Sequence, residues 1–305
     1  MNELTKQTRV AFQGERGAFS EDAALKLLGD GIELVPRVTF DSLFASIDDE
    51  VASRILAPLE NTLAGSVHRV YDLLLESSLT ITAEVVIPIA HHLIGCPDVT
   101  FDAIKVVESH PVALAQCEAF FKDHPQIARV ASEDTAGSVR RVIERGDPAR
   151  AAIAGRRAAE VYGGVILKRN LEDDPHNYTR FVLLAPPSAN ETTGDKLSLM
   201  LELAHRPSAL HHALVPFARR GINLLKIESR PIKGSPWQYR FYLDLEASTR
   251  DSKVTAALQE LNRSADKVLI LGCYPSHPIK LPDNGHREPL SPVLIDSSVE
   301  GVTQQ

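Results

Sequence analysis

The sequence has few features that would suit a membrane, a secreted or a nucleic-acid-binding protein. No apolar stretch approaches the roughly 20 residues that a helix needs to cross a bilayer. Residues 1–6 are polar and lack the apolar segment of a secretory signal, so we expect a cytoplasmic protein with no membrane partner. The net charge of -7 argues against a nucleic-acid partner, because phosphate binding needs a basic surface.

Cysteine and metal-binding motifs are equally scarce. The chain has three cysteines without CxxC spacing, which suits small apolar core residues in a reducing compartment. Each of the histidine pairs 91–92 and 211–212 consists of neighbours, whose side chains diverge and cannot easily hold one ion. No HExxH, Walker or EF-hand motif is present, so we predict no metal site. Residue counts leave a Ser/His/Asp triad open, although no GxSxG elbow is present.

The composition is that of an ordinary globular protein, with 305 residues, 44% of them hydrophobic and 24% charged. Short apolar runs alternate with helical patterns from about residue 8 to residue 187. This alternation predicts an α/β unit with mostly parallel sheets. The stretch 186–195 lacks apolar periodicity, and its content of Pro, Ser, Thr and Gly predicts a linker at 188–195.

A smaller unit follows the linker and spans residues 196–275. Its pattern predicts a βαββαβ order, which is typical of ferredoxin-like folds. The last stretch, 276–305, is rich in Pro, Ser and Asp and predicts a poorly ordered tail.

Four polar turns in the large unit follow predicted strands, where α/β sheets bind ligands. Each turn also has a plain structural interpretation: a tight turn, a helix cap, a satisfied histidine or an N-cap. The turns are 13–20, 58–62, 108–111 and 134–138.

The segment Asn177–Phe181 places an amide, a hydroxyl and a guanidinium next to one another, immediately before an apolar strand. Polar groups at such a place favour an anionic ligand. The structural alternative is a loop in which Arg180 pairs with a nearby carboxylate such as Asp173 or Asp174.

Taken together and in this order, the motifs resemble the prephenate dehydratase family, over roughly residues 8 to 275. In the small unit, the segments 207–210 and 228–231 resemble the two effector motifs of an ACT regulatory domain. The motifs that carry the resemblance are Gly14-x-x-Gly17-x-x-Ser20, Glu60-Asn61-Thr62, Ser109-His110-Pro111, Asp134-Thr135-Ala136-Gly137, Asn177-Tyr178-Thr179-Arg180-Phe181 and Glu228-Ser229-Arg230-Pro231.

The chain departs from the family pattern at three places. Thr62 stands where serine is commoner, Asp134 begins what is usually a Ser-Thr-Ala run, and Ser208 replaces a glycine of the effector turn. The last departure puts effector affinity in doubt rather than catalysis.

The resemblance implies a two-lobed fold like that of type II periplasmic-binding proteins, with the site between the lobes. Lobe 1 would comprise about 8–85 plus 175–187, and lobe 2 about 86–174. The strand after Arg180 would return to lobe 1 and close its sheet. An ACT domain at 196–275 would follow.

The implied reaction converts prephenate into phenylpyruvate, CO2 and water without a cofactor, and the enzyme is then a carbon–oxygen lyase of phenylalanine biosynthesis. Thr179 is the expected catalytic residue, because its hydroxyl can donate a hydrogen bond to the departing oxygen. Arg180 is expected to hold the pyruvyl carboxylate, or else a structural partner. The expected substrate-binding residues are Arg180, Asn61, Thr62, Ser109, Thr135, Asn177 and Phe181.

The ACT-like unit implies inhibition by L-phenylalanine and a homodimer or homotetramer. Glu228 and Ser229 would face the 207–210 turn of a partner subunit. The expected effector-binding residues are Ser208, Ala209, Leu210, Glu228, Ser229, Arg230 and Pro231. Two other functions stay open at this point: an arogenate dehydratase, and a non-catalytic amino-acid sensor built on the same lobes.

Overall fold

The computed structural model describes residues 8–187, 194–232 and 234–277, which form three sheets flanked by helices. Residues 188–193 of the predicted linker and 278–305 of the predicted tail lie outside the described residues. The strands are β1 (Thr8–Gln13), β2 (Ile32–Arg37), β3 (Arg54–Asn61), β4 (Gly65–Ser66), β5 (Thr80–Pro88), β6 (His92–Gly95), β7 (Val106–Ser109), β8 (Ala128–Ala131), β9 (Arg150–Ala154), β10 (Val165–Lys168), β11 (Tyr178–Ala185), β12 (Lys196–Glu202), β13 (Asn223–Pro231), β14 (Tyr239–Glu246) and β15 (Lys267–Tyr274).

Helices connect most of these strands, and none in the described part of the chain has both the length and the apolar character needed to cross a membrane. The helices are α1 (Phe19–Leu28), α2 (Phe40–Asp48), α3 (His68–Glu76), α4 (Pro111–Ala115), α5 (Glu118–Asp123), α6 (Thr135–Arg145), α7 (Arg156–Tyr162), α8 (Ala209–Ala218) and α9 (Ser252–Ser264).

The sheet of lobe 1 has the order β2-β1-β3-β11-β5, with β4 attached to β3. Strand β1 runs parallel to β2 and β3, whereas β11 runs antiparallel to β3 and β5. Strand β11 comes from far along the chain and inserts between two strands of lobe 1. The predicted return of the chain after Arg180 is therefore confirmed.

Lobe 2 is built on a second sheet with the order β10-β6-β9-β7-β8. Strand β7 is parallel to β8 and β9, but β6 is antiparallel to both of its neighbours. The prediction of mostly parallel sheets is therefore wrong, and both sheets are mixed. The physical reason is that the strands bordering the lobe crossings, β5, β6 and β11, pair antiparallel with their neighbours.

The lobes meet closely at the turn that follows β1. Gly17 has a φ of +82°, and a Cβ atom there would lie 2.7 Å from the Cα of Ala158 in lobe 2. Only glycine fits both the backbone angle and the approach. Ion pairs flank this contact: Glu15 binds Arg140 at 2.7 Å, and Glu21 binds Arg157 at 3.1 Å.

The small unit has the predicted βαββαβ order, and its sheet runs β13-β14-β12-β15. Helices α8 and α9 cover one face of this sheet, and their apolar side chains share a core with it, including Ala213, Phe217 and Leu261. The other face packs on lobe 1.

The small unit shares a continuous apolar core with lobe 1. Met200, Tyr242 and Leu271 of the small sheet pack in one cluster with Val182 and Leu184 of β11. At Gly272 the approach is closest, since a Cβ atom would lie 2.2 Å from the carbonyl oxygen of Ile81. The small unit is therefore joined to the back of the sheet that carries β11.

Candidate active site

Thr179 lies near the start of β11, where the chain returns from lobe 2 to lobe 1. It pairs in register with Asn61 at the end of β3 and is 8% exposed. Side chains alternate along a strand, so Asn177, Thr179 and Phe181 differ in direction from Arg180. This alternation divides the predicted site into two groups.

Backbone contacts fix the orientation of the Asn61 amide. Its Oδ1 accepts hydrogen bonds from the backbone N–H groups of Leu63 at 3.0 Å and Ala64 at 2.8 Å. The amide nitrogen must then point the other way, where it donates to Thr179 Oγ1 at 2.9 Å and to Asn177 Oδ1 at 2.8 Å. Asn61 closes a local turn with its own side chain rather than capping a helix.

This orientation sets the role of the Thr179 hydroxyl. Because its oxygen accepts from Asn61, its proton remains available for donation to another group. The amide N–H also stabilises negative charge that grows on the threonine oxygen as it donates. Thr179 is therefore arranged as a hydrogen-bond donor towards a ligand.

The amide chain continues into lobe 2 through two residues that no sequence motif indicated. Asn177 Nδ2 donates to Gln116 Oε1 at 3.0 Å, and the same oxygen lies 3.0 Å from His91 Nε2. Since Gln116 presents an acceptor, His91 carries its proton on Nε2. Its Nδ1 is buried and has no hydrogen-bond partner among the described residues. Thr179 is thus linked to both lobes.

Burial lowers the pKa of His91 below its usual range, although Gln116 and Glu172 oppose the shift. A histidine of this kind contributes stability above the unfolded-state pKa of about 6.5, and this contribution is lost as the pH falls below that value. We therefore expect the free energy of unfolding to decrease between pH 8 and pH 5.5 more in the wild type than in His91→Gln. Urea titrations at both pH values measure the difference. The exposed His211→Gln is the control, and an equal pH dependence in wild type and His91→Gln would contradict the expectation.

Thr62 holds the crossing segment rather than facing a ligand. Its hydroxyl donates to the His176 carbonyl at 2.8 Å and accepts from the Tyr178 N–H at 2.9 Å. Both hydrogen-bonding functions are thereby used by the backbone that leads into β11. Thr62 therefore fixes the start of the strand that carries Thr179.

Ser109 and Thr135 lie together at one edge of the lobe 2 sheet. Ser109 ends β7, is fully buried and donates to the Ile153 carbonyl at 2.6 Å. Thr135 begins α6 and is half-buried; Asp134, the residue before it, caps the helix by accepting from the Gly137 N–H. No hydrogen bond among the described residues joins either hydroxyl to Thr179. The anion at this helix N-terminus is the carboxylate of Asp134.

Arg180 points away from Thr179, towards the small unit. Its guanidinium lies 2.6 Å from Asp244 Oδ2 and 3.1 Å from Glu84 Oε2. The two side chains therefore do not share a site, contrary to the expectation that both bind substrate. This geometry favours the structural alternative, with Asp244 and Glu84 as partners instead of Asp173 or Asp174.

Arg180 belongs to a neutral cluster of three cations and three carboxylates, here called the interdomain ion cluster. Burial alone would raise the pKa of Asp244, but Arg180 and Lys196 outweigh it and hold this pKa below its usual range. Burial alone would lower the pKa of Arg180, but the charges of Asp244 and Glu84 outweigh it and raise this pKa. The cluster comprises Glu60, Glu84, Arg180, Lys196, Lys226 and Asp244.

Phe181 and the turn after β1 also have structural roles in this conformation. Phe181 is 2% exposed and packs in the core between the lobe 1 sheet and α1. In the turn, the Gly17 N–H donates to the carboxylate of Glu21 at 2.6 Å, so the glycine backbone binds an anion of its own chain.

The predicted effector residues fall into two groups. Ser208 precedes α8 with a φ of +65°, an angle that favours glycine, and Ala209 and Leu210 begin the helix. Glu228 accepts from Ser66 at 3.0 Å and lies 3.3 Å from His68 Nε2, so it contacts lobe 1 of its own chain rather than facing away.

Two members of the second effector motif face outward. These are Ser229 and Pro231, which are exposed on the edge strand β13. Arg230 lies between them and points to lobe 1, 3.4 Å from Asp72. The motif therefore has one face against lobe 1 and one face open.

Comparisons with known proteins agree with this architecture. The family model described as prephenate dehydratase matches residues 10–189. The arogenate dehydratase/prephenate dehydratase 1 of Arabidopsis thaliana chloroplasts is 40% identical over 285 residues, which cover 88% of this chain and 72% of the plant protein.

Two solved structures are also similar over 88% of this chain. A prephenate dehydratase in complex with L-Phe from Arthrobacter aurescens has a TM-score of 0.80 and 31% identity, with 90% of that chain covered. A protein described as GqqA, a novel type of quorum quenching acylase, has a TM-score of 0.82 and 33% identity, with 98% covered. By its sequence, fold and site, this chain belongs to the prephenate dehydratase family.

Proposed function

We propose that the protein is a prephenate dehydratase, a lyase that converts prephenate into phenylpyruvate, CO2 and water. The reaction is a decarboxylative elimination in which the ring carboxylate leaves as CO2 and the ring hydroxyl leaves as hydroxide, which takes up a proton from the solvent to give water. Formation of the aromatic ring drives it. The protein has to bind the dianion, assist departure of the hydroxyl and keep water from the ring carboxylate.

The observation that carries this proposal is the orientation of Thr179. Its oxygen accepts from Asn61, so its O–H group can donate a hydrogen bond to the departing hydroxyl oxygen. Hydrogen-bond assistance of this kind contributes roughly 10²–10⁴ in rate. Asn61 is then the positioning residue for Thr179, and Asn177 and Gln116 extend the support into lobe 2.

Substrate binding is assigned mainly to lobe 2 and the crossing segment. Arg180 is occupied by carboxylates of the protein and the N-terminus of α6 by Asp134, so we propose the hydroxyl of Thr135 for the pyruvyl carboxylate. Ser109 and Asn177 remain proposed substrate-binding residues. Weak binding of the ring carboxylate suits the reaction. This group loses its charge as CO2 forms, so contacts that stabilise the charge would favour the ground state over the transition state.

Prephenate and arogenate differ only by a keto or an amino group, and the name of the plant relative includes both activities. We propose prephenate as the preferred substrate. Measuring kcat/KM on both substrates tests this choice, with a higher value expected for prephenate. A higher value for arogenate would contradict it.

One similar structure is described as an acylase, but the site geometry here does not favour acyl transfer. A threonine nucleophile needs a base that removes its proton. In the described residues, the side-chain partner of Thr179 Oγ1 is the amide of Asn61, which donates to it. An amide donor lowers the basicity of the oxygen and suits a hydrogen-bond donor instead.

We further propose that residues 8–187 form the catalytic unit and residues 196–275 an ACT unit that responds to L-phenylalanine. The L-Phe complex of the Arthrobacter protein supports this choice of effector. The proposed binding residues are Ser229 and Pro231 on the open face of β13, and Ser208 in the turn before α8. Both are surface features of one chain, which supports a site completed by a second subunit in a homodimer or homotetramer.

The left-handed conformation of Ser208 predicts a stabilising substitution. A residue with a Cβ atom at a φ of +65° is strained, so Ser208→Gly is expected to raise the free energy of unfolding by about 0.5–1 kcal/mol. Urea unfolding measures this. The control is Gln259→Gly at an exposed position inside helix α9, where glycine should destabilise. If Ser208→Gly lowered the free energy of unfolding, the backbone angle of Ser208 would not be a source of strain.

A further inference from the structure

Thr179 and Asn61 lie on two strands of lobe 1. On each strand, the residue next to Thr179 or Asn61 forms an ion pair with the small unit. Arg180 follows Thr179 on β11, and Glu60 precedes Asn61 on β3. Because side chains alternate along strands, the adjacent residues project from the opposite face of the sheet. There Arg180 meets Asp244 of β14 at 2.6 Å.

The second contact is between Glu60 and Lys226 of β13, at 2.8 Å. Lys226 Nζ also lies 3.0 Å from Ser66 Oγ of β4, and its side chain is only 12% exposed. Glu60 in turn lies 3.6 Å from Arg180, so the two ion pairs adjoin each other. Both strands of the candidate site are thus held from behind.

The Arg180–Asp244 pair is itself fixed within the small unit. The second oxygen of Asp244 accepts from Ser198 Oγ, which also lies 2.7 Å from the Tyr274 hydroxyl. A cavity of about 550 Å³ adjoins the pair and is lined by both of its residues, with Thr62, Tyr178 and Leu225 among the others.

We propose that Asp244 and Lys226 are positioning residues for the dehydratase reaction, acting through Arg180 and Glu60 on the hydrogen bond between Asn61 and Thr179. A displacement of β14 or β13 moves Arg180 or Glu60 and with it the neighbouring residue of the site. Misplacement of a reacting group by about 1 Å can cost a factor of about 10² in rate. The small unit therefore takes part in catalysis even without an effector.

The same contacts connect the proposed effector strand with the candidate site, an extension that rests on the proposed function. Strand β13 carries the 228–231 motif and pairs with β14 so that Lys226 lies opposite Asp244 and Ser229 opposite Phe241. A ligand that displaces β13 would move both ion pairs at once.

Lys226→Met tests the inference, because methionine keeps the apolar stem and removes the charge. We expect kcat on prephenate to fall about tenfold with little change in KM. Lys226→Arg should retain most of the activity, since it keeps the ion pair with Glu60. Arg240→Met is the matched control, because Arg240 pairs with Glu202 at 2.7 Å inside the small unit and should leave kcat unchanged.

Asp244→Asn is the second variant and should lower kcat more than Lys226→Met does. The melting temperature of each variant shows whether it is folded. Equal kcat in wild type and Lys226→Met would overturn the inference, as would an equal loss in Lys226→Arg or in Arg240→Met. A rise in KM at constant kcat would also overturn it, since Lys226 would then bind substrate. An inactive wild type would instead contradict the proposed function. Calorimetric titration with L-phenylalanine tests the effector extension alone.

Discussion

Thr179→Ala is expected to lower kcat by a factor of about 10²–10⁴ while KM changes little. The hydroxyl acts on the departing oxygen, whose charge develops in the transition state, so its loss affects the rate more than binding. Thr179→Ser should keep a substantial part of the activity, because the serine hydroxyl can accept from Asn61 in the same way. The rate of phenylpyruvate formation, monitored by absorbance, gives kcat and KM.

The control for this prediction is Thr62→Ala. The Thr62 hydroxyl is hydrogen-bonded to the backbone of His176 and Tyr178. Its loss should therefore lower the free energy of unfolding and have little effect on kcat. If Thr179→Ala raised KM and left kcat unchanged, Thr179 would be a binding residue and the proposed chemistry would be contradicted.

Arg180→Met is expected to reduce the free energy of unfolding by about 3–5 kcal/mol. The substitution leaves Asp244 buried without its ion pair, although Glu84 keeps Lys196 at 2.9 Å, and a buried charge without its partner is strongly destabilising. Urea unfolding of the variant, compared with wild type, measures the loss.

An exposed pair provides the matched control. Arg69 pairs with Asp41 at the surface, where solvent screens the two charges, so Arg69→Met should change stability little. If Arg180→Met were as stable as wild type and showed only a raised KM, Arg180 would bind the substrate after all. The interdomain ion cluster would then contribute little to the free energy of unfolding.

Much of the architecture could be predicted from the sequence, because it depends on local patterns. The alternation of strands and helices and the βαββαβ order follow from periodicity, whereas the return of β11 to lobe 1 was implied by the family resemblance. The direction of strand pairing did not follow. Antiparallel pairing of β6 with β9 depends on where the chain crosses between the lobes, which local patterns do not reveal.

The candidate site was predictable in part, and the direction of the Arg180 side chain, away from Thr179, has a simple physical cause. Residues 179 and 180 are neighbours in sequence, but neighbours on a strand point to opposite faces, so a shared site for both side chains conflicts with the strand that carries them. Gln116 and His91 lay beyond sequence reasoning. Asn177 meets Gln116 across 61 positions of the chain, and it is linked to His91 only through Gln116.

Ser208 illustrates a third limit of sequence reasoning. A family pattern with glycine at this position indicates a special backbone angle, and the structure has that angle, yet serine occupies it. Residue type alone could not tell whether the turn had changed shape or had kept its shape under strain.

The central claim is that this chain cleaves prephenate by decarboxylative elimination. The most direct measurement incubates the wild-type protein with prephenate and quantifies phenylpyruvate by absorbance and released CO2 in the same sample. Both products are expected in equal amounts, formed catalytically. If neither product formed while a ligand still raised the melting temperature, the chain would be a non-catalytic binding protein and the claim would be contradicted.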